Sequence, residues 1–170
     1  MGAGDEVAVV DAGPLIHLAE IDALHVLTVF GKLHLPQAVW AETVEQGRVS
    51  ADRLAHLQIT HHALSPLEVA QFSQMQALAA LHLGEQECLL LGKQLNVPLL
   101  LTDDLAARDA AKRLSLKPVG SLGVIVRAYR HGLVPLADAE RFLSELYSVS
   151  SLFVTRDIVE IAIQQLRLAR

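Results

Sequence analysis

The stretch Val97-Pro98-Leu99-Leu100-Leu101-Thr102-Asp103-Asp104 constrains the fold more than any other. Its apolar run is too short for a helix of its own, follows Asn96, and stops abruptly at two adjacent carboxylates. A short run without polar alternation is the pattern of a strand buried on both faces, in the middle of a parallel sheet. In an open α/β sheet, ligands bind beyond the carboxyl ends of the strands. Asp103 and Asp104 therefore fall where such a fold keeps its chemistry.

Strand and helix patterns alternate along the rest of the chain. Residues 6–11 read as a first strand ending in Asp11. Pro14 suits the start of a helix running to residue 20, with Gly13 as its cap, which leaves Asp11 outside the helix. Asp22 can cap a short helix over residues 23–30. A second strand over residues 32–35 closes at Pro36, and a helix over residues 37–46 stops at Gly47. On that helix Glu42 shares an apolar flank with Ala38 and Val39, while Trp40 and Val44 mark another, so its direction stays open. Residues 57–60 suggest a strand. The neighbouring His61 and His62 cannot project together, so no dedicated zinc site is expected.

Ser65-Pro66-Leu67-Glu68 is a capping box that starts a helix to about Leu81. Gly84-Glu85 opens another, over residues 85–95, on which Glu85, Cys88, Leu89 and Gly92 form one stripe and Glu87 lies away from its centre. Glu85 thus sits at a helix start, where the dipole favours an acid, yet on the buried face, where an unpaired charge is costly. One of Asp103 and Asp104 can cap a helix over residues 105–114, leaving the other for chemistry. A short strand near residues 117–119 precedes Gly120-Ser121-Leu122-Gly123, which opens a helix over residues 124–131. There Ser121 either caps the helix or meets a phosphate oxygen. Helices over residues 136–147 and 156–169, the second capped by Thr155, flank a loop or short strand.

Asp11, Glu85, Asp103 and Asp104 can converge, and Glu42 can join them. Two carboxylates about 4 Å apart repel by about 4 kcal/mol at an effective dielectric of about 20. Such a cluster persists if protonated, paired with arginine, or filled by a divalent cation. Oxygen donors alone suit Mg2+ or Mn2+ rather than zinc or copper, and a bound water could then attack a phosphodiester. The net charge of −5 argues against a chain that is basic throughout. Residues 105–135 nevertheless carry Arg108, Lys112, Arg113, Lys117, Arg127 and Arg130 against Asp109 alone. That segment is either a solvated face or a phosphate-contacting rim, with Arg108, Lys112, Ser121 and Arg127 as the candidate nucleic-acid contacts. The length suits one domain over residues 1–170, with a core at about 7–134 and a helical extension at about 135–170. No apolar run approaches the roughly 18 residues of a membrane span, the first residues lack the basic start of a signal peptide, and Cys88 is the single cysteine. A cytoplasmic protein with no membrane association is expected.

Val9-Val10-Asp11-Ala12-Gly13-Pro14-Leu15-Ile16 resembles the opening of PIN-domain proteins. Leu35-Pro36-Gln37-Ala38-Val39-Trp40-Ala41-Glu42 resembles their second acidic segment, and Gly84-Glu85 with Leu101-Thr102-Asp103-Asp104 their remaining acidic positions. Gly120-Ser121-Leu122-Gly123-Val124, Arg127-Ala128 and Gly132-Leu133 are similar to an uncharacterised PIN-like subfamily. The likeness covers about Val7 to Val134. It implies a three-layer α/β/α fold with a central, mainly parallel sheet, C-terminal helices beyond it, and a metal-dependent ribonuclease site. By position it makes Asp11, Glu42, Glu85 and Asp104 the catalytic set and Asp103 a further metal ligand, with the last place open among Asp103, Asp104 and Asp109. Many such proteins are toxins of toxin–antitoxin modules, inhibited by a small antitoxin protein, and many are homodimers. Glu85 stands where many members have aspartate, and residues 48–83 are long for the smallest toxins. The resemblance points to a Mg2+- or Mn2+-dependent endoribonuclease. The competing expectation is a PIN-like module that binds RNA or a partner with little or no cutting. A phosphatase or phosphotransferase is weaker, since no phosphate-cradling glycine loop is present.

Overall fold

A computed structural model describes residues 6–168 of the chain. Five strands, β1 (Val7–Val10), β2 (Lys32–Pro36), β3 (Ile59–His62), β4 (Leu99–Leu101) and β5 (Lys117–Val119), form one sheet in the order β3-β2-β1-β4-β5. Every pairing is parallel. Flanking helices complete the three-layer α/β/α arrangement. The chain builds from β1 outward to β2 and β3, then crosses to β4 and β5 on the other side. The reversal of strand order therefore falls between β1 and β4. The middle strand is β1, and the leucine run lies one place off it. Ala8, Val9 and Val10 have no exposed surface, and all three leucines of β4 are buried. A leucine sealed like Leu100 contributes about 2 kcal/mol relative to an exposed one.

Helix α1 (Ala12–Glu20) begins earlier than the sequence suggests, because Asp11 is its cap: Oδ1 accepts the Ala12 amide at 2.8 Å. Pro14 then sits inside the first turn, where amides have no intrahelical acceptor and its missing N–H costs nothing. Asp22 does not cap a helix. Its φ is 54°, its carboxylate pairs with Arg53, and Leu24–Val29 wind as a 3-10 helix. The helix expected over residues 37–46 is α2 (Gln37–Trp40) running into a π-helical turn, Ala41–Glu45. After the short α3 (Ala51–Leu54), α4 (Pro66–Met75) starts at Ser65, which accepts the Glu68 amide. It ends well before Leu81, the chain turning at Ala77 with φ 56°.

Then come α5 (Leu83–Leu95), α6 (Leu105–Arg113) and α7 (Ser121–Arg130), with Gly120 rather than Ser121 at the cap position of α7. The last helices are α8 (Leu136–Ser148) and α9 (Arg156–Leu168). Thr155 Oγ1 accepts the Ile158 amide at 3.4 Å, in keeping with its expected cap. The expected helix end at Ala169 lies outside the described residues. The stretch between α8 and α9 forms no strand. Both helices pack on α7, and one apolar cluster runs from β1 and β4 through to Phe142, Leu146, Val159 and Leu166.

Candidate active site

The chemistry gathers at the carboxyl ends of β1 and β4. The Asp11 amide donates to the Leu101 carbonyl at 2.9 Å, which carries the strand pairing one residue past β1. Its carboxylate is held at both oxygens: Oδ1 by the Ala12 amide and Oδ2 by the Thr102 hydroxyl at 2.9 Å. Thr102, the buried residue that ends the leucine run, thus orients the acid that ends the neighbouring strand. Burial pushes the Asp11 carboxyl up to about 7. The Ala12 amide and Thr102 hydroxyl pull against that rise, and the charges of Glu85 and Glu42 add to it.

Glu85 Oε2 accepts the His82 amide at 2.9 Å and closes the first turn of α5. Burial raises this carboxyl too, opposed by the His82 amide and reinforced by Asp104 and Glu42. Glu42, on the π-helical turn, lines the same cavity. Gly84 keeps the space between them open: a Cβ there would stand 3.5 Å from Glu42 Oε2 and 3.8 Å from Asp11 Oδ1. Glu87 corrects the helical projection. It is buried, and its Oε2 accepts the Ala38 amide at 3.0 Å, so α5 caps α2 and fixes the approach of the Glu42 segment. Cys88 is fully buried, with its thiol pushed well above the ordinary range by desolvation.

The adjacent aspartates have separate jobs. Asp104 is exposed and caps α6, its Oδ1 accepting the Ala107 amide at 2.8 Å. Asp103 is the more heavily tied of the two. Oδ1 accepts the Ser121 amide at 2.7 Å, and Oδ2 meets the Ser121 hydroxyl at 2.6 Å and His17 Nδ1 at 2.7 Å. A Cβ at Gly120 would lie 2.9 Å from Asp103 Oδ1, so only glycine permits this closeness. Asp109 does not line the cavity and pairs with Lys112 on the exposed side of α6.

The four candidate RNA contacts scatter. Ser121 is fully buried and its hydroxyl is taken up by Asp103. Arg108 donates to the Thr102 carbonyl at 3.2 Å beside the acids, and Lys112 extends along the same helix. Arg127 is elsewhere, paired with Glu6 and lying over the Phe30 ring.

Asp11, Glu42, Glu85, Asp103 and Asp104 line one cavity of about 390 Å³, with His17 and His82 at its wall. Among the described residues, no lysine or arginine lines it. Among the same residues, no three His, Cys, Asp or Glu side chains are drawn close enough to hold a cation as they stand. The chemistry of the donors nevertheless fits a hard divalent ion: all are carboxylates, and burial, reinforced by the neighbouring acids, raises the pKa of Asp11 and Glu85. His17, Thr102 and Glu87 were not singled out in the sequence. His17 stands four residues after Gly13, and a Cβ at Gly13 would lie 3.6 Å from its ring and 3.4 Å from Asp103 Cβ, so this face of α1 is the one turned to Asp103.

No helix among the described residues is long and apolar enough to cross a membrane. A protein-family model described as a PIN domain matches residues 7–167. No curated protein and no solved structure matches the chain.

Proposed function

The chain belongs to the PIN-domain family, whose fold is of the nuclease type, and on that premise we propose that it is a divalent-metal-dependent endoribonuclease that hydrolyses RNA phosphodiester bonds. One observation carries this reading. Acids from four separate segments face one cavity at the switch in strand order, and among the described residues no lysine or arginine lines it.

Asp11, Glu85 and Asp104 would hold Mg2+ or Mn2+, with Glu42 binding it or its water. When bound, the ion supplies positive charge for the developing phosphorane oxygens and eases deprotonation of water. The chain does the positioning. Thr102 and the Ala12 amide lock the Asp11 carboxylate in one orientation. Ser121 and His17 anchor Asp103, and so fix the turn from which Asp104 projects. Glu42, half-buried in the cavity wall, would take the proton of the attacking water. Arg108 lies beside the acids as a contact for the RNA backbone.

The test is cleavage of single-stranded RNA by the purified protein with Mg2+ or Mn2+, stopped by a chelator. Asp11→Asn should lower the rate about 100-fold or more, the size of effect seen when a group stabilising transition-state charge is lost. Its circular dichroism should be unchanged. Undiminished cleavage by a folded Asp11→Asn protein overturns the proposal.

A further inference from the structure

The acidic cavity does not end at its acids. Asp103, Leu105, Leu152 and Phe153 also wall a second depression of about 570 Å³, which continues over Val119 to Arg108. At the shared rim the core leaves two apolar side chains to solvent: Phe153 is 97% exposed and Leu105 76%. Burying such a ring is worth about 2–3 kcal/mol, so its full exposure forgoes a sizeable stabilisation.

The segment that displays Phe153 is tethered. Ser151 donates its amide and its hydroxyl to Glu20, at the end of α1, at 2.6 and 2.8 Å. Ser150 Oγ accepts the Leu152 amide at 3.2 Å. On α6, Leu105, Arg108 and Lys112 share one face by i, i+3, i+7 spacing, and Arg108 lines the same groove as the ring. An exposed aromatic ring sharing a groove with a cation is the chemistry that binds unpaired nucleic acid: a base stacks on the ring while the cation meets a phosphate.

Resting on the ribonuclease reading, we infer that Phe153 is a stacking platform for one base of single-stranded RNA next to the scissile bond, with Arg108 on an adjoining phosphate. The two depressions are continuous, so a strand whose phosphate enters the acids lays its next unit against this ring. In a duplex the base faces are already covered by their neighbours, so the platform selects unpaired RNA.

The test is binding of a labelled single-stranded oligoribonucleotide, with calcium replacing magnesium to slow turnover. It is compared with strands carrying one abasic position. The wild-type protein should bind the intact strand on the order of ten-fold more tightly than the strand whose gap falls at the platform. Phe153→Ala should bind both equally. Phe153→Trp should restore the difference, its emission quenched on binding. A Phe153→Ala protein that still discriminates overturns the inference. So does one whose only change is loss of a dimer in sedimentation, since the ring would then cover a second copy. Quenching in Phe153→Trp without divalent-dependent cleavage by the wild type would sink the nuclease reading and leave the platform standing.

Discussion

Replacing Asp11 by asparagine should stabilise the metal-free protein, and more so as pH rises. The folded protein holds the Asp11 proton up to about pH 7, whereas an unburied carboxyl releases it near 3.8. The fold binds that proton more tightly than the unfolded chain does. Below the unfolded value both states are protonated and the burial of Asp11 carries no charge penalty. Between the two values the penalty grows with pH, and above the folded value it is constant. A rise of about three units is worth about 4 kcal/mol at that plateau. Asparagine keeps the local geometry, since its oxygen can accept the Ala12 amide and its NH2 can donate to Thr102 Oγ1. Urea unfolding of both proteins in chelator, at steps from about pH 4.5 to about pH 8.5, reads the difference directly. The other acids titrate in both proteins and largely cancel. The variant's advantage should widen with pH, level off near pH 8, and total up to about 4 kcal/mol. Magnesium at the plateau should stabilise the wild type more than the variant, because the ion binds the folded acids. Parallel stability curves would refute the argument from burial to a need for counter-charge.

Two further substitutions test the supports of the site. Ser121→Ala removes the 2.6 Å hydroxyl contact from Asp103 and should cost about 1–3 kcal/mol in thermal unfolding, with kcat falling more than KM. Full stability and full rate would contradict an anchoring role. Glu87→Ala strips the acceptor from the Ala38 amide at the start of α2 and should cost about 1 kcal/mol, with Glu87→Gln recovering much of it in the same melt.

The strands β1 and β4 were legible because unbroken apolar runs ending in acids leave few alternatives. Asp11, Glu85, Asp103 and Asp104 are legible as candidates for the same local reason: each follows a strand or begins a helix. The difference in surroundings between Asp103 and Asp104 is not local. It depends on Ser121 and His17, which approach from other helices and share no periodicity with the aspartates. Glu87 was misplaced because projecting one helix shows its own apolar face but not the neighbour, α2, lying over the next face. Glu42 could not be aimed, since a π-helical turn departs from the 3.6-residue period on which the projection rests. Arg127 belongs to the basic run in the sequence, yet α7 carries it to Glu6, away from the acids. Phe153 left no signal at all, because an aromatic residue between helices belongs to no pattern.

Helices α1, α5 and α6 each begin on an acid of the cleft, and the first amide of α7 rests on Asp103. Each helix start carries roughly half a positive charge, so the acids are backed by four fixed electropositive ends. A polyanion therefore meets less repulsion there than five carboxylates alone would exert. Neutralising one of those acids should lower the repulsion further, so that a variant unable to cut should release a strand more slowly than the working form.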